Sequence, residues 1–343
     1  MKKLLPFFSF LFFAATSFAL PNLLDRQLFK VRNIENLDVN LSWENLDIQE
    51  CDEADNILVE VYCNSKRYAP DVKAVGSTII IETNKYDRSF FVNKKCTVIL
   101  RLPSAAKFGK ARLTTTSGDI HSQMVITAKN FTATATSGDL SITEEVFADE
   151  AAFKATSGNI YIEGVFGEKL SAVTTSGSIN INKSSAEDCS VSATSGRLKL
   201  SNAELGQAKL ETTSGSISLQ GQVRQAFDIS STSGNLGLEL DAAPSNNCKA
   251  TSTSGSIFLG LPGDANFSLN VTTTSGSFTN GFRNEKLGSH VSYNSDINGG
   301  GANIKLTATS GNITVDSNDV FGAKGKGSSE DSDIPVVIFD DAK

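Results

Sequence analysis

The chain has 343 residues, and its 31 basic side chains against 38 acidic ones give it a net charge of −7. This length is sufficient to bury an extensive core, and the acidic balance argues against nucleic acid as a partner. With two histidines, five cysteines and no Cys-x-x-Cys spacing, the chain lacks the pattern of a metal site, and we expect neither a metal nor a cofactor.

Residues 1–19 have the pattern of a secretory signal peptide. Two lysines precede a run rich in phenylalanine and leucine, and Ser17, Phe18 and Ala19 form a small-x-small cleavage site. The apolar run is too short to span a bilayer comfortably, so we expect no transmembrane segment in the mature chain. The sequence thus predicts export through a cleaved signal peptide to the periplasm, the cell surface or the extracellular space.

Residues 20–110 alternate apolar and polar side chains in several short runs, but these runs have no fixed spacing. Alternation with a period of two is typical of half-buried strands. We interpret this region as an irregular, β-rich N-terminal cap. A cap is expected because an uncapped end of a repeat array exposes its core and its unpaired strand edge.

Between residues 111 and 321 the tripeptide Thr-Ser-Gly occurs ten times. Successive copies are 19 to 21 residues apart, except for a last step of 35 residues. Such a period indicates a solenoid, since the turns of an antiparallel sandwich rarely keep one tripeptide at one spacing. The glycines are Gly118, Gly138, Gly158, Gly177, Gly196, Gly215, Gly234, Gly255, Gly276 and Gly311.

Apolar residues stand two positions after and five positions before every one of these glycines, with mostly polar residues between. If the repeats stack in register, equivalent positions form columns with steps of about 4.8 Å and share one core. Ile217, for example, should then lie between Leu198 and Leu236. The sequence predicts an all-β, single-stranded parallel β-helix with coils of about 20 residues, right-handed as parallel crossovers usually are.

We place the ten glycines at the corners of the coils, because glycine reaches positive φ values without a steric penalty from Cβ. The threonines and serines that precede each glycine favour a ladder of hydroxyl groups bonded across neighbouring coils. Each repeat is therefore expected to be strand, Ser-Gly corner and strand.

The cysteines allow a geometric prediction. Cys189 and Cys248 fall in one inward column, three coils and therefore about 14 Å apart, beyond the limit of about 7 Å for a disulfide. We expect two separate buried thiols. Any disulfide must then come from Cys51, Cys63 and Cys96, with one of the three left unpaired and the pairing open.

The array is interrupted between residues 279 and 303, within the 35-residue step. We interpret residues 293–297 as a corner that has lost its glycine, and three glycines follow at residues 299–301. Residues 322–343 form a tail rich in glycine, serine and acidic residues, which is typical of a flexible linker, and it contains a short apolar segment near its end.

Several segments resemble a known family. The Thr-Thr-Ser-Gly-Asp-Ile of residues 115–120, the Leu-Arg-Leu-Pro of residues 100–103 and the ending at residues 299–313 are similar to a widespread bacterial family of unknown function, whose members are labelled putative adhesins. The resemblance covers residues 35–316. It implies a single-stranded right-handed β-helix and a surface or periplasmic role, and it defines no binding residues.

Parallel β-helices also host polysaccharide lyases and hydrolases, whose sites group carboxylates on an outer face. Asp119 and Asp139 follow successive glycines and would stand about 5 Å apart in register. Asp after Gly is also ordinary turn chemistry, and neither His121 nor His290 has an acid positioned beside it in the sequence. We predict no catalytic residues and keep Asp119 and Asp139 as surface candidates.

These observations favour an exported, non-enzymatic β-helical protein with a structural or adhesive role at the bacterial envelope. Glycans, or surface proteins of the envelope or of a host, are the expected partners. Two alternatives are a β-helical carbohydrate-active enzyme that uses outward carboxylates and an envelope scaffold that self-assembles through its coil ends. The oligomeric state is left open by the sequence.

Overall fold

The computed structural model describes residues 22–84 and 94–318, which contain 24 strands. The predicted signal peptide of residues 1–19 and the tail of residues 322–343 lie outside the described residues. In chain order the strands are β1 (Leu23–Lys30), β2 (Asn36–Asn40), β3 (Asn45–Glu50), β4 (Asn56–Cys63), β5 (Asp71–Val75), β6 (Thr78–Glu82), β7 (Cys96–Leu102), β8 (Lys107–Thr115), β9 (Ile120–Ser122), β10 (Ile126–Ala135), β11 (Leu140–Ala155), β12 (Ile160–Thr174), β13 (Ile179–Ser195), β14 (Leu198–Ser214), β15 (Ile217–Ser233), β16 (Leu236–Leu240), β17 (Cys248–Ser252), β18 (Ile257–Leu261), β19 (Phe267–Thr273), β20 (Phe278–Asn280), β21 (Glu285–Leu287), β22 (Ser292–Ile297), β23 (Asn303–Ala308) and β24 (Ile313–Ser317), with short 3-10 turns at Val31–Asn33 and Lys66–Tyr68.

Alternation of apolar and polar residues produces three inward-facing runs in a regular coil. In the coil that contains Gly138, buried residues alternate within 131–135 before the corner, 140–142 after it and 146–148 beyond a second bend. We name these runs, and their equivalents in other coils, side A, side B and side C. Burial of their apolar side chains inside the stack removes apolar surface from water and stabilises the fold.

Equivalent residues of successive coils are paired in parallel register. Ile217 on side B pairs with Leu198 on one neighbouring coil and with Leu236 on the other, as the stacking hypothesis requires. Most of the buried apolar residues form one cluster that runs along the stack, and Val61, Cys63 and Cys96 form a second, small cluster. The described residues contain no α-helix. The structure therefore confirms the predicted all-β parallel solenoid. Its right-handedness stays a prediction.

The corner glycines are needed for close backbone contact between coils rather than for a positive φ, which corrects the reason inferred from the sequence. Gly196 is the one corner glycine with a positive φ, and its value of +158° is almost extended. A Cβ atom on Gly138 would lie 2.6 Å from the carbonyl carbon of Gly118 and closer still to its oxygen. Any side chain at such a corner would push two coils apart.

Buried hydroxyl groups three positions before several glycines support the corners. The Thr174 hydroxyl donates a hydrogen bond to the carbonyl oxygen of Gly158 at 3.2 Å, and the Ser252 hydroxyl donates one to Gly234 at 3.0 Å. These bonds join one coil to the preceding coil. They also satisfy polar atoms that would be costly to leave unpaired inside the stack.

At the C-terminal end the order of coils in space departs from their order in the chain. Strand β23 lies between β17 and β19, and β24 lies between β18 and β20, all in parallel register. The coil of Gly311 is therefore inserted between the coils of Gly255 and Gly276. The step of 35 residues from Gly276 to Gly311 is long because it contains β21 and β22, which border the outermost coil, before the chain returns to the inserted coil at β23.

Residues 293–297 are not a corner that has lost its glycine, so that interpretation of the sequence is wrong. They belong to β22, which runs antiparallel to β19 at the end of the stack. Strand β21 is likewise antiparallel to β20. Alternation of apolar and polar residues with a period of two is the same in parallel and antiparallel strands, so the sequence did not indicate the direction of this strand.

The N-terminal end shows the same exchange of order. Strands β2 and β3 form a coil that lies between the coil of β6 and β7 and the coil of β8 and β9. The outermost strands β6 and β7 are in turn covered by the antiparallel strands β5 and β4. The region interpreted as an irregular cap thus contributes two stacked coils as well as antiparallel strands.

The cysteines are arranged as the coil geometry requires. Cys63 and Cys96 form a disulfide that joins β4 to β7, which resolves the pairing that the sequence left open. Cys51 is the unpaired member of that group. Cys189 and Cys248 are separate, buried, free thiols, which confirms the prediction made from their three-coil separation.

Candidate functional site

The carboxylates of Asp119 and Asp139 take part in a ladder of hydrogen bonds along the corner. Asp119 Oδ1 accepts the backbone N–H of Asp139 at 2.9 Å, and Asp139 Oδ1 accepts that of Asn159 at 2.7 Å. Asn159 Oδ1 in turn accepts the N–H of Ser178 at 3.0 Å. The frequent Asp, Asn and Ser residues after the glycines are thus explained by a shared acceptor role that holds neighbouring coils in register. Arg197, whose side chain has no acceptor, interrupts this ladder.

The row of polar residues on side B contains a neighbour that the sequence did not suggest. His121 pairs in register with Asp47 on one neighbouring strand and with Ser141 on the other, so an acid does lie beside His121. Burial raises the pKa of Asp47, and the nearby positive charge of His121 opposes this shift. In the described structure, however, no hydrogen bond joins these three side chains. A serine nucleophile requires such a bond to a base, so the row lacks the geometry of a catalytic triad.

A groove of about 660 Å³ runs along the described surface. It lies where side C bends into side A and crosses β12, β13, β14, β15, β17 and β23, which are six neighbours in the stack. Five steps between these strands give the groove a length of about 24 Å. The last strand, β23, belongs to the inserted coil, so the groove is completed only by the exchange of coil order.

Two rows of outward side chains form the rims of the groove. One row runs along the bend and consists of Lys169, Asp188, Gln207, Ala226, Asn247 and Asn303. The other row, two residues further along each strand, consists of Ser171, Ser190, Lys209, Asp228, Lys249 and Lys305. The groove therefore presents ammonium, carboxylate, amide and hydroxyl groups over a partly apolar floor, a combination typical of a ligand site.

The groove is more positive than the protein as a whole. Four lysines and two aspartates line it, although the chain carries a net charge of −7. Lys169 pairs with Glu150 at 2.9 Å and Lys209 with Glu211 at 3.2 Å. Lys249 and Lys305 make no ion pair with any described residue, so their charges remain available.

Two buried free thiols, Cys189 and Cys248, lie at the floor of the groove. Burial raises the pKa of Cys189 to about 12 and that of Cys248 to about 11. The backbone N–H of Phe227 donates to Cys248 Sγ at 3.4 Å and partly offsets the effect of burial. Because the thiolate is the nucleophilic form, neither cysteine is suited to covalent chemistry near neutral pH.

Other functional features are absent from the part of the chain that the structure describes. Residues 22–84 and 94–318 contain no group of three or more His, Cys, Asp or Glu side chains that could hold a metal ion. No helix within those ranges has the length and apolar character to cross a membrane.

The fold and the groove define a parallel β-solenoid with a long surface site. The chain belongs to the Toastrack DUF4097 family, whose model matches residues 34–205 and again residues 168–316. A second, overlapping match is understandable because one set of repeats resembles the next. No curated protein sequence matches the chain.

Several crystal structures share a distant similarity with the chain. One of a putative adhesin from Parabacteroides distasonis is 13% identical, covers 86% of this chain and 97% of its own, and has a TM-score of 0.47. One of a putative lipid binding protein from the same organism is 18% identical, with coverages of 68% and 95% and a TM-score of 0.46. One of a putative adhesin from Parabacteroides merdae is 9% identical, with coverages of 85% and 95% and a TM-score of 0.43. These values are too low to transfer a ligand or a role.

Proposed function

We propose that this protein is an exported, non-enzymatic, surface-binding protein of the bacterial envelope, with glycans or surface proteins as partners. The observation that carries the proposal is the groove of about 660 Å³, which crosses six stacked strands and is lined by polar and charged side chains. Its strands are joined by regular backbone hydrogen bonds, so the rims are held in fixed positions before a ligand arrives. Such preorganisation lowers the entropic cost of binding.

A binding role accounts for the polar groups better than a catalytic one. Asp119 and Asp139, the carboxylates with the spacing of a glycosidase pair, each accept a backbone N–H from the next coil. A catalytic acid or base must instead exchange protons with a substrate. We therefore assign these two aspartates to the corner ladder and expect no hydrolase or lyase activity.

Assembly through the coil ends is also less favourable than the sequence alone suggested. The outermost coils are bordered by antiparallel strands at both ends, β4 and β5 at one and β21 and β22 at the other. These strands cover the edges that parallel stacking of a second copy would need.

The proposal is tested by binding of the purified mature chain, starting at residue 20, to envelope fractions, to whole cells and to a glycan array. We expect saturable binding that Ser190→Trp weakens, because an indole at this exposed rim position obstructs the groove. Ser218→Trp is the matched control, since Ser218 is an exposed residue of side B. Absence of binding to every one of these targets would refute a surface-binding role.

A further inference from the structure

The inserted coil places two lysines side by side at one end of the groove. Lys249 on β17 and Lys305 on β23 occupy paired positions of neighbouring parallel strands, and both side chains are exposed. Like charges at directly paired positions destabilise a sheet, and no described carboxylate forms an ion pair with either ammonium group. The repulsion between the two ammonium groups lowers the stability of the free protein. An anion bound between them would be attracted by both charges and would remove this repulsion.

Three asparagines with neutral amide side chains lie next to this lysine pair, along its strands and on the strand beyond Lys305. Asn247 and Asn303 precede the lysines on their strands, and the backbone N–H of Asn303 donates to Asn247 Oδ1 at 3.2 Å. Asn270 lies beyond Lys305 in the same row, and its Nδ2 donates to Asn294. A bound anion would therefore meet two positive charges and further hydrogen-bonding groups. The carboxylate on that side, Asp296, lies two strands from Asn303 and accepts a hydrogen bond from the Ser268 hydroxyl.

The charges alternate along the rim that contains the pair. Lys209, Asp228 and Lys249 are consecutive in register, so the two lysines stand about 9.6 Å apart with an acid between them. A ligand that carries negative charge at every step would be repelled by Asp228. A ligand whose acidic groups alternate with neutral, hydroxyl-bearing groups fits, because Asp228 can accept hydrogen bonds from hydroxyls.

We propose that the groove binds an extended glycan in which acidic and neutral sugars alternate, with one sugar carboxylate bound between Lys249 and Lys305. This inference rests on the proposed surface-binding function and specifies its ligand. The length of about 24 Å accommodates several sugar rings along the stack axis. Nucleic acid is disfavoured by its dense charge and by the absence of an exposed aromatic side chain among the groove residues, which single-strand binding proteins use for base stacking.

The inference is tested by calorimetric titration of the full mature chain with hyaluronan oligosaccharides, in which glucuronate and N-acetylglucosamine alternate. Chitin oligosaccharides of the same length provide a neutral probe, and oligogalacturonate provides a fully acidic one. We expect hyaluronan to bind at least about tenfold more tightly than either, because charge-assisted hydrogen bonds to the lysines are made only with a correctly spaced carboxylate. The affinity should fall as salt is added.

The double variant Lys249→Gln/Lys305→Gln should lose about tenfold or more in affinity for hyaluronan. The control Lys129→Gln/Lys199→Gln makes the same change of net charge at residues outside the groove and should bind as the native chain does. Circular dichroism and the thermal midpoint of both variants establish that they are folded.

The outcomes separate this inference from the function on which it rests. If the native chain binds cells or envelope fractions but prefers the neutral or the fully acidic probe, or if the lysine variant binds as well as the control, the ligand assignment is wrong and the surface-binding function stands. Tighter binding of single-stranded DNA of equal charge would also overturn the ligand assignment. If the chain binds no probe, no cell and no envelope fraction, both proposals fail.

Discussion

The middle of the stack and its two ends are made of similar strands in different orders. From the coil of Gly118 to that of Gly255, each coil lies on its predecessor in the chain. At both ends, the coil nearest the chain terminus lies one place inside the stack. Each of these two coils is therefore paired with a neighbouring coil on both sides, although terminal segments usually fray. The outermost coil is an internal part of the chain and is bordered by antiparallel strands.

This difference explains how a repeat protein can end without a separate capping domain. In the middle, identical corners are sufficient because every coil has two neighbours. At the ends, the chain itself supplies the second neighbour by folding back. The exchange also shapes the surface, since the inserted coil brings Lys305 next to Lys249 and completes the groove.

Removal of the inserted coil should have the largest effect on the C-terminal end. A chain that stops at residue 281 loses the fully buried side chains of Ile304, Leu306 and Ile313, which together contribute at least about 5 kcal/mol to the free energy of folding. A chain that stops at residue 318 lacks only undescribed residues and serves as the control. Urea denaturation measures the stability of the two shortened chains. Equal midpoints would show that the inserted coil does not contribute to stability.

A side chain at a corner glycine should disrupt the middle of the stack. We expect Gly138→Ala to lower the free energy of unfolding by about 3 kcal/mol, because its Cβ would collide with the carbonyl group of Gly118. Gly288→Ala is the control, since a Cβ there has no neighbour within 4 Å, and its effect should stay within about 0.5 kcal/mol. Similar stabilities of the two variants would contradict close corner contact.

The N-terminal end differs from the middle at one corner, where Glu44 stands in the place of a glycine. Its buried Oε2 accepts the backbone N–H groups of Ser42 and Trp43, each at 3.0 Å, and the hydroxyl of Thr83 at 2.6 Å. Glu44→Gly restores the repeat pattern but removes this acceptor. We expect it to destabilise the protein by about 2 kcal/mol in thermal or urea unfolding; a gain in stability would show that the repeat consensus governs this corner too.

The smallest effect is expected at the corner ladder. Asp139→Asn keeps an oxygen that accepts the N–H of Asn159 and should change the free energy of unfolding by less than about 0.5 kcal/mol. Asp139→Ala removes the acceptor and should cost about 1 kcal/mol. Chemical denaturation of the two variants side by side distinguishes these roles. If Asp139→Asn lowers the free energy of unfolding as much as Asp139→Ala does, the negative charge of Asp139 stabilises the corner and the accepted hydrogen bond does not.

Local patterns were sufficient to predict the regular coils and the buried free thiols. They failed where distant segments meet. The pairing of His121 with Asp47 joins residues 74 positions apart, and that of Lys249 with Lys305 joins residues 56 positions apart. Neither separation is a multiple of the repeat, so counting along the sequence could not reveal these neighbours or the groove.

The sequence by itself determined that this protein is a parallel solenoid, because periodic apolar positions can be buried together only when the repeats stack in register. Only the tertiary structure decided the order of the end coils and the shape of the groove. Alternating polar and apolar residues specify which face of a strand is buried, but they do not specify which neighbour the strand pairs with. That choice depends on contacts between segments far apart in the chain.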